Sequence, residues 1–498
     1  MTDVDRRDHL PRVHSITFNA AMNIALTASN ALLGLITVPY VTRVLSVEGY
    51  GAVGFAQNAA SWFSIFCMFG VPLYGVRECA KVRGDENKLA QVVSELLALL
   101  TLFTIGGLTV FAVCILLIPD FQNQAPLMWI FLVNTLISSY GAEWFFQAIE
   151  QYRYITIRSV VFKSFSLVAI LLFVKSPDDY ILYGALLAAG LCGNNILNMF
   201  RLRRLVPFSG IRGLNLSRHL RPLLSFLSLN IASSVYLYLD TVILAMLTPN
   251  LFQVGQYQVV SKLKSFLIGI IGAIVNVFIP RLSYLIHEPS EYKSLLIKSL
   301  QVVFNIAFAI FAYIQVFADL VLVFFSSQKY SQAAFPFRVV AIAILCSSMS
   351  IFIGYAILTP RGEERELAIS NLIGIPVSLI LNLALDSKYG ALGASVAIAC
   401  TEFVVLIVQS YFSRKILHSI ANIREFIKII VAVSAAVLMS SICRMFMESV
   451  GSILTLMVAS LVFFATWVGC LLLMRESFSV SLLVKARRRY RLGRGNES

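Results

Sequence analysis

SELLALLTLFTIGGLTVFAVCILLI, residues 94–118, carries one charge at Glu95 and none in the 23 residues that follow. A bilayer core takes about 20 apolar residues as a helix, so this stretch is long enough to cross one. Working outward from it, comparable segments lie near 16–41, 52–72, 126–147, 157–175 and 180–200. They resume near 222–246, 257–280, 299–325, 334–358, 367–386 and 389–412, and end with 427–447 and 452–474. The reading is an all-α integral membrane protein of about fourteen transmembrane helices.

Composition agrees. Of 498 residues 58% are hydrophobic and 13% charged, and the mean hydropathy is +0.81. Soluble domains hold about 25% charged residues, so soluble enzymes, disordered chains and disulfide scaffolds are excluded. The eight cysteines are scattered singly, with no CxxC or Cys/His cluster, and read as small packing residues. No cleavable signal peptide is expected, because the first apolar run continues into helical sequence.

The net charge of +14 sits mostly in short connections. With the N-terminus inside, 32 of the 40 Lys and Arg fall on inner loops and tails and six on outer ones. That bias predicts both termini in the cytoplasm. It also reads the tail KARRRYRLGR (485–494) as a contact with anionic lipid rather than a nucleic-acid arm. No phosphate-binding GxxxxGK[ST] loop occurs, and every connection is too short for an extramembrane catalytic domain.

YGAL occurs at 183 and again at 389, and GYGAVGFA (49–56) resembles VGQYQVVS (254–261) at nearly the same offset. The implied unit is six helices, and an even number gives two lobes of parallel orientation. The expected organisation is a cytoplasmic tail (1–15), an N-lobe of helices 1–6 (16–200) and a basic cytoplasmic linker (201–221). A C-lobe of helices 7–12 (222–412), helices 13–14 (413–474) and a basic cytoplasmic tail (475–498) follow.

Polar groups within spans are costly and therefore mark function. Asn19, Asn23, Thr27, Asn30, Gly34 and Thr37 recur at helical spacing on one face of the first span. Asn19, Asn23 and Asn30 are read as lining a cavity. Gln258, Lys262, Ser265, Gly269, Gly272 and Asn276 make a second such stripe, which predicts that Lys262 and Asn276 point into the protein. Lys264, on the other face with Ile268, Ile271 and Val275, is expected to snorkel outward. Asp240, at a similar depth to Lys262, and mid-span Glu402 are read as coupling or structural acids. Pro39 is expected to kink the first span, and Gly374 with Pro376 to break the eleventh.

VPYVTRVLSVEGYGAVGFAQNAASWFSIFCMFGVPLYGVREC (38–79), GAEWFFQAIEQYRYITIRSVVFK (141–163), LYLDTVILAML…VGQYQVVSKL (237–263) and YGALGASVAIACTE (389–402) resemble stretches of the Wzx-type polysaccharide (O-antigen) repeat-unit flippases. Those belong to the multidrug/oligosaccharidyl-lipid/polysaccharide exporter superfamily. The resemblance spans roughly 15–475, and the EWFFQ…E.YRYITIR block is its most specific part. It implies a non-enzymatic flippase of the bacterial cytoplasmic membrane that carries undecaprenyl-diphosphate-linked oligosaccharide by alternating access for surface polysaccharide. Lys262 and Arg43 would serve the diphosphate from outside, and Arg77, Arg153 and Arg158 at the inner mouth. The asparagines would meet sugar hydroxyls. A polysaccharide polymerase and chain-length machinery are the implied protein partners. No cofactor or metal is expected, and coupling to H+ or Na+ stays open. Two alternatives compete: an ion-coupled multidrug or small-solute antiporter of the same superfamily, and a membrane glycosyltransferase or polymerase. For the latter only Asp178 and Asp179 lie on an outer turn.

Overall fold

The computed structural model describes residues 15–206, 213–447 and 451–476. The tail before Ser15, part of the basic linker (207–212) and the basic tail from 477 lie outside the described residues. All regular structure among the described residues is helical, and it divides into two compact units, the first ending at Gln258 and the second beginning at Val259.

The first unit holds α1 (Ile16–Val44), α2 (Val47–Met68), α3 (Val71–Val82), α4 (Glu86–Leu117), α5 (Pro119–Asn123) and α6 (Ala125–Ser139). It continues with α7 (Glu143–Ala148), α8 (Tyr152–Phe173), α9 (Tyr180–Leu205), α10 (Ser217–Leu247) and the first turns of α11 (Phe252–Tyr284). The second holds the rest of α11, then α12 (Pro289–Phe325), α13 (Ala334–Phe352), α14 (Glu364–Tyr389) and α15 (Ala391–Phe412). It ends with α16 (Arg414–Ile420), α17 (Ile423–Phe446) and α18 (Ser452–Leu473). Each of the fourteen apolar segments read from the sequence falls largely on helix. Twelve helices among the described residues are long and apolar enough to span a membrane. The other two expected spans fall on α1 and α10, whose described apolar stretches are the shorter Leu33–Val44 and Tyr238–Leu247.

Local chemistry sets the helix starts. Ser15, Ser46 and Asp85 cap α1, α2 and α4, accepting from the backbone N–H of Phe18, Gly49 and Lys88. Pro39 and Pro376 do not end their helices. α14 runs unbroken through Pro376, against the expected break, and α1 runs through Pro39. One lost N–H costs less in lipid than opening the whole turn to hydrocarbon. Beside Pro39, Thr42 Oγ1 donates to Val38 O at 2.8 Å and Arg43 to Pro39 O at 2.7 Å.

The EWFFQ block forms α7, set off by left-handed backbone at Ala142 (φ 45°) and Glu150 (φ 58°). It drives Trp144, Phe145 and Phe146 into the core of the first unit beside Tyr74, Leu96 and Ile155. Gly75 lets the indole in, since a Cβ there would lie 2.6 Å from Trp144. α2 packs closely on the start of α11. A Cβ on Gly51 would sit 2.7 Å from Gly255 N, and one on Gly54 would sit 2.2 Å from Gln258 Nε2. The boundary between the two compact units falls inside α11, and α10 packs on α2 within the first.

In the second unit α17 and α18 cover α12 through Ala309, Phe317, Ala432, Ala436, Ala459 and Phe463. Ile271 and Val275 of α11 pack with Val303, Ala307 and Phe352. α13 passes into a π-helical turn, Ile353–Leu358, where Thr359 Oγ1 donates to Gly354 O at 2.9 Å.

Candidate functional site

α11 organises one candidate region. Its apolar stripe finds neighbours on α12 and α13, so that face is packed and the polar face is left open. Lys264 is 7% exposed, Ile271 0% and Val275 1%, whereas Ser265, Gly269 and Asn276 are exposed. The expected outward snorkelling of Lys264 is thereby corrected: it lies on the packed side, because Ile271 and Val275 of that stripe carry the hydrophobic contact. Lys262 is half-buried on the open side, with no hydrogen bond or ion pair among the described residues. Among the described residues, nothing lies within 4 Å of a notional Cβ on Gly269 or Gly272. A polar stripe is a poor surface for acyl chains, so this face suits water.

The same helix lines an apolar cavity of about 380 Å³. Leu263, Leu267 and Ile270 form one wall, Tyr313 and Ile314 of α12 another, and Phe464 and Trp467 of α18 a third. A second cavity, of about 310 Å³, is polar and lies in the first unit among Glu48, Asp120, Asn123, Gln124, Tyr180 and Asn250.

A second region gathers cations in the first unit. The sequence places Arg153, Arg158 and Lys163 on an inner connection, but α8 starts at Tyr152 and carries all three. Arg158 is 4% exposed and 3.7 Å from Glu143, and among the described residues no acceptor takes a hydrogen bond from any of its guanidinium nitrogens. Its Cζ stands 5.2 Å from the Tyr154 ring, and that of Arg201 on α9 stands 3.9 Å from the same ring. Lys163 donates to Ser159 Oγ at 2.6 Å. Arg153 is exposed.

The remaining expected site residues take individual positions. Arg77 is held by Glu78 at 3.1 Å and lies over the Tyr74 and Phe226 rings. Arg43 is exposed and engaged at the Pro39 carbonyl. Asn19, expected to line a cavity, is buried and donates to Glu150 at 3.3 Å, so this bond ties α1 to the segment after α7. Asn23 is exposed, and the side chain of Asn30 lies outside the described residues. Asp240 is buried and accepts from Tyr257 OH at 3.4 Å. Glu402 is half-buried within electrostatic reach of Cys346. Its neighbours at seven-residue spacing, Ser395 and Gln409, are buried, and Gln409 accepts from Ser350 of α13 at 2.8 Å.

Sequence reading missed one network altogether. Glu95 of α4 is fully buried and accepts from Asn215 N at 2.9 Å, His219 Nε2 at 2.8 Å and Gln91 at 3.2 Å, and pairs with Arg218. His219 Nδ1 in turn meets Tyr74 OH at 2.7 Å. The signal was a lone carboxylate at the head of the most apolar run in the first unit.

These features define a polytopic helical membrane protein with charged groups held inside its spans. A family model described as polysaccharide biosynthesis protein matches residues 16–286, more than half of the chain, and the chain belongs to that family. A protein of Shigella dysenteriae named as an O-antigen transporter is 24% identical over 400 residues, covering 78% of this chain and 98% of that one. One of Escherichia coli strain K12 with the same name is 22% identical over 411 residues, covering 80% and 97%. Among solved structures, the lipid II flippase MurJ in an inward closed conformation superposes with a TM-score of 0.70 at 13% identity, over 93% of this chain and all of that one. An inward-facing multidrug resistance MATE family transporter gives 0.55 at 12% identity, over 78% and 98%. The fold is therefore of the MurJ and MATE type, and the protein is a multi-pass protein of the bacterial inner membrane.

Proposed function

We propose that this protein is a flippase that moves undecaprenyl-diphosphate-linked oligosaccharide across the cytoplasmic membrane by alternating access, supplying surface polysaccharide synthesis. One observation carries the reading. α11 joins a half-buried cation, Lys262, an open polar face and an apolar cavity within a few turns. An amphiphile with an anionic head, hydroxyl-rich sugars and a polyprenyl tail needs those three surfaces side by side. The family and the relatives named as O-antigen transporters point the same way.

Lys262→Ala is expected to abolish surface polysaccharide and leave lipid-linked repeat units on the cytoplasmic leaflet, measured by leaflet-selective labelling. Normal polysaccharide in that variant would refute the role of Lys262. The antiporter reading rests on cavity acids. Here the face of Glu402 packs against α13, and Asp240 is engaged by Tyr257. The glycosyltransferase reading is weakened at Asp179, whose carboxylate is taken up by the N–H groups of Lys175 and Ser176 at 2.8 and 2.7 Å.

A further inference from the structure

Arg158 and Arg201 carry more positive charge than the carboxylates among the described residues neutralise. Gly190 approaches Ser166 and Gly193 approaches Phe162, so α8 and α9 run antiparallel with Arg158 level with residues 197–198. Arg201 follows one turn on, consistent with its place on the Tyr154 ring. Two guanidiniums thus flank one tyrosine, about 9 Å or less from the start of α8 at 1.5 Å per residue. Of these two guanidiniums only that of Arg158 has a carboxylate partner among the described residues, and that contact is long, at 3.7 Å. Among the described residues no hydrogen-bond partner meets any of the three nitrogens of Arg158, although the residue is 96% buried (4% exposed). A buried guanidinium without acceptors is costly unless an anion meets it. Glu143, by contrast, has a side chain 38% exposed and can swing into water at little cost.

We propose that Arg158 and Arg201 form a diphosphate-binding station within the first unit, with Glu143 as a resident counter-ion that the arriving oxyanion displaces. Planar guanidiniums suit bidentate capture of phosphate oxygens, which a single carboxylate at 3.7 Å does not satisfy. Displacement keeps an anion beside Arg158 through loading and unloading, so neither the empty nor the loaded station leaves Arg158 bare. The station rests on the flippase reading for the lipid that delivers the diphosphate, while anion binding itself can be measured without transport.

The test is a titration of the protein in phosphatidylcholine nanodiscs with sodium pyrophosphate, read by thermal melting. Pyrophosphate is expected to raise the melting temperature. Arg158→Gln and Arg201→Gln should weaken the apparent affinity roughly tenfold each, the worth of one charge-assisted contact. Glu143→Gln should strengthen it, since the competing carboxylate is gone. A purely structural ion pair predicts the same sign for all three. Unchanged affinity in Arg201→Gln, weaker affinity in Glu143→Gln, or no response in the unmodified protein would each overturn the proposal. Arg201 is half-buried, so its variant serves even where Arg158→Gln does not fold. Repeating the titration with phosphatidylglycerol in the discs separates the sources. A response that survives supports a diphosphate ligand, and one that vanishes overturns it in favour of bulk lipid heads. Flipping of lipid-linked oligosaccharide in proteoliposomes is scored separately. Its absence in unmodified protein that binds pyrophosphate would sink the flippase reading and leave the station standing.

Discussion

Replacing Glu95 with glutamine removes one charge and turns one acceptor into a donor at the centre of four incoming hydrogen bonds. The geometry lets the cost be built up group by group. The amide oxygen can keep either Asn215 N or His219 Nε2, now 2.9 and 2.8 Å away, but not both. The amide nitrogen then faces donors. His219 has a side chain 3% exposed and cannot turn to water, so leaving it unsatisfied costs about 1–3 kcal/mol. Arg218 has a side chain 45% exposed and rehydrates, which keeps its share toward the lower end. The sum is about 2–4 kcal/mol, below the roughly 3–5 kcal/mol or more reached when both partners of a broken pair are fully buried. Melting of purified protein in detergent should show the loss. Limited proteolysis should cut faster at 213–216, because Asn215 is the anchor of that segment. A cycle with His219→Leu should show coupling of more than about 0.5 kcal/mol. Strict additivity, with unchanged cleavage, would refute the claim that Glu95 binds this segment to α4.

Further expectations follow from close approaches and turns. Gly51→Ala and Gly255→Ala each put a Cβ within 2.3 Å or less of a backbone oxygen, of Leu251 and Val47. Neither clash can be relieved by a rotamer, so both variants should lower the melting temperature by the equivalent of about 1–3 kcal/mol or more. Unchanged melting would show that α2 and α11 do not pack there. Asp179 is held below the usual carboxylate range by the backbone N–H groups of Ser176 and Lys175. Its contribution to stability is therefore full above the ordinary value of 3.8 and fades as pH falls through the lowered one. Asp179→Asn should flatten the melting profile on that acid limb, and an identical profile would remove Asp179 from the turn.

Periodicity in the sequence located helices and sorted their faces, but not the neighbour each face would meet. On α11 the two stripes were plain, and the packed one turned out to be that of Ile271 and Val275, which carried Lys264 inward. Hydrophobic contact chose the face, and polarity alone had suggested the reverse. Asn19 kept helical register with Asn23, yet its partner Glu150 lies 131 positions away and could not be inferred from spacing. The same holds for Glu95 and His219, 124 positions apart. Arg158 was visible as a cation near an inner loop. Its burial was not, because the start of α8 depends on how the chain turns through Glu150 in left-handed backbone. The EWFFQ block stood out as the most specific stretch for a reason the fold supplies: three adjacent aromatic side chains fill one core from a six-residue helix.

Gly269 and Gly272 occupy the open face of α11 with no atom near a notional Cβ. A methyl group at either position would meet no steric resistance and would favour helix by about 1 kcal/mol, so thermodynamic stability gives no reason to keep these glycines. If this face borders the path of the proposed flippase, bulkier residues there would narrow that path while leaving the scaffold intact, which would make these two positions a dial for the girth of cargo admitted.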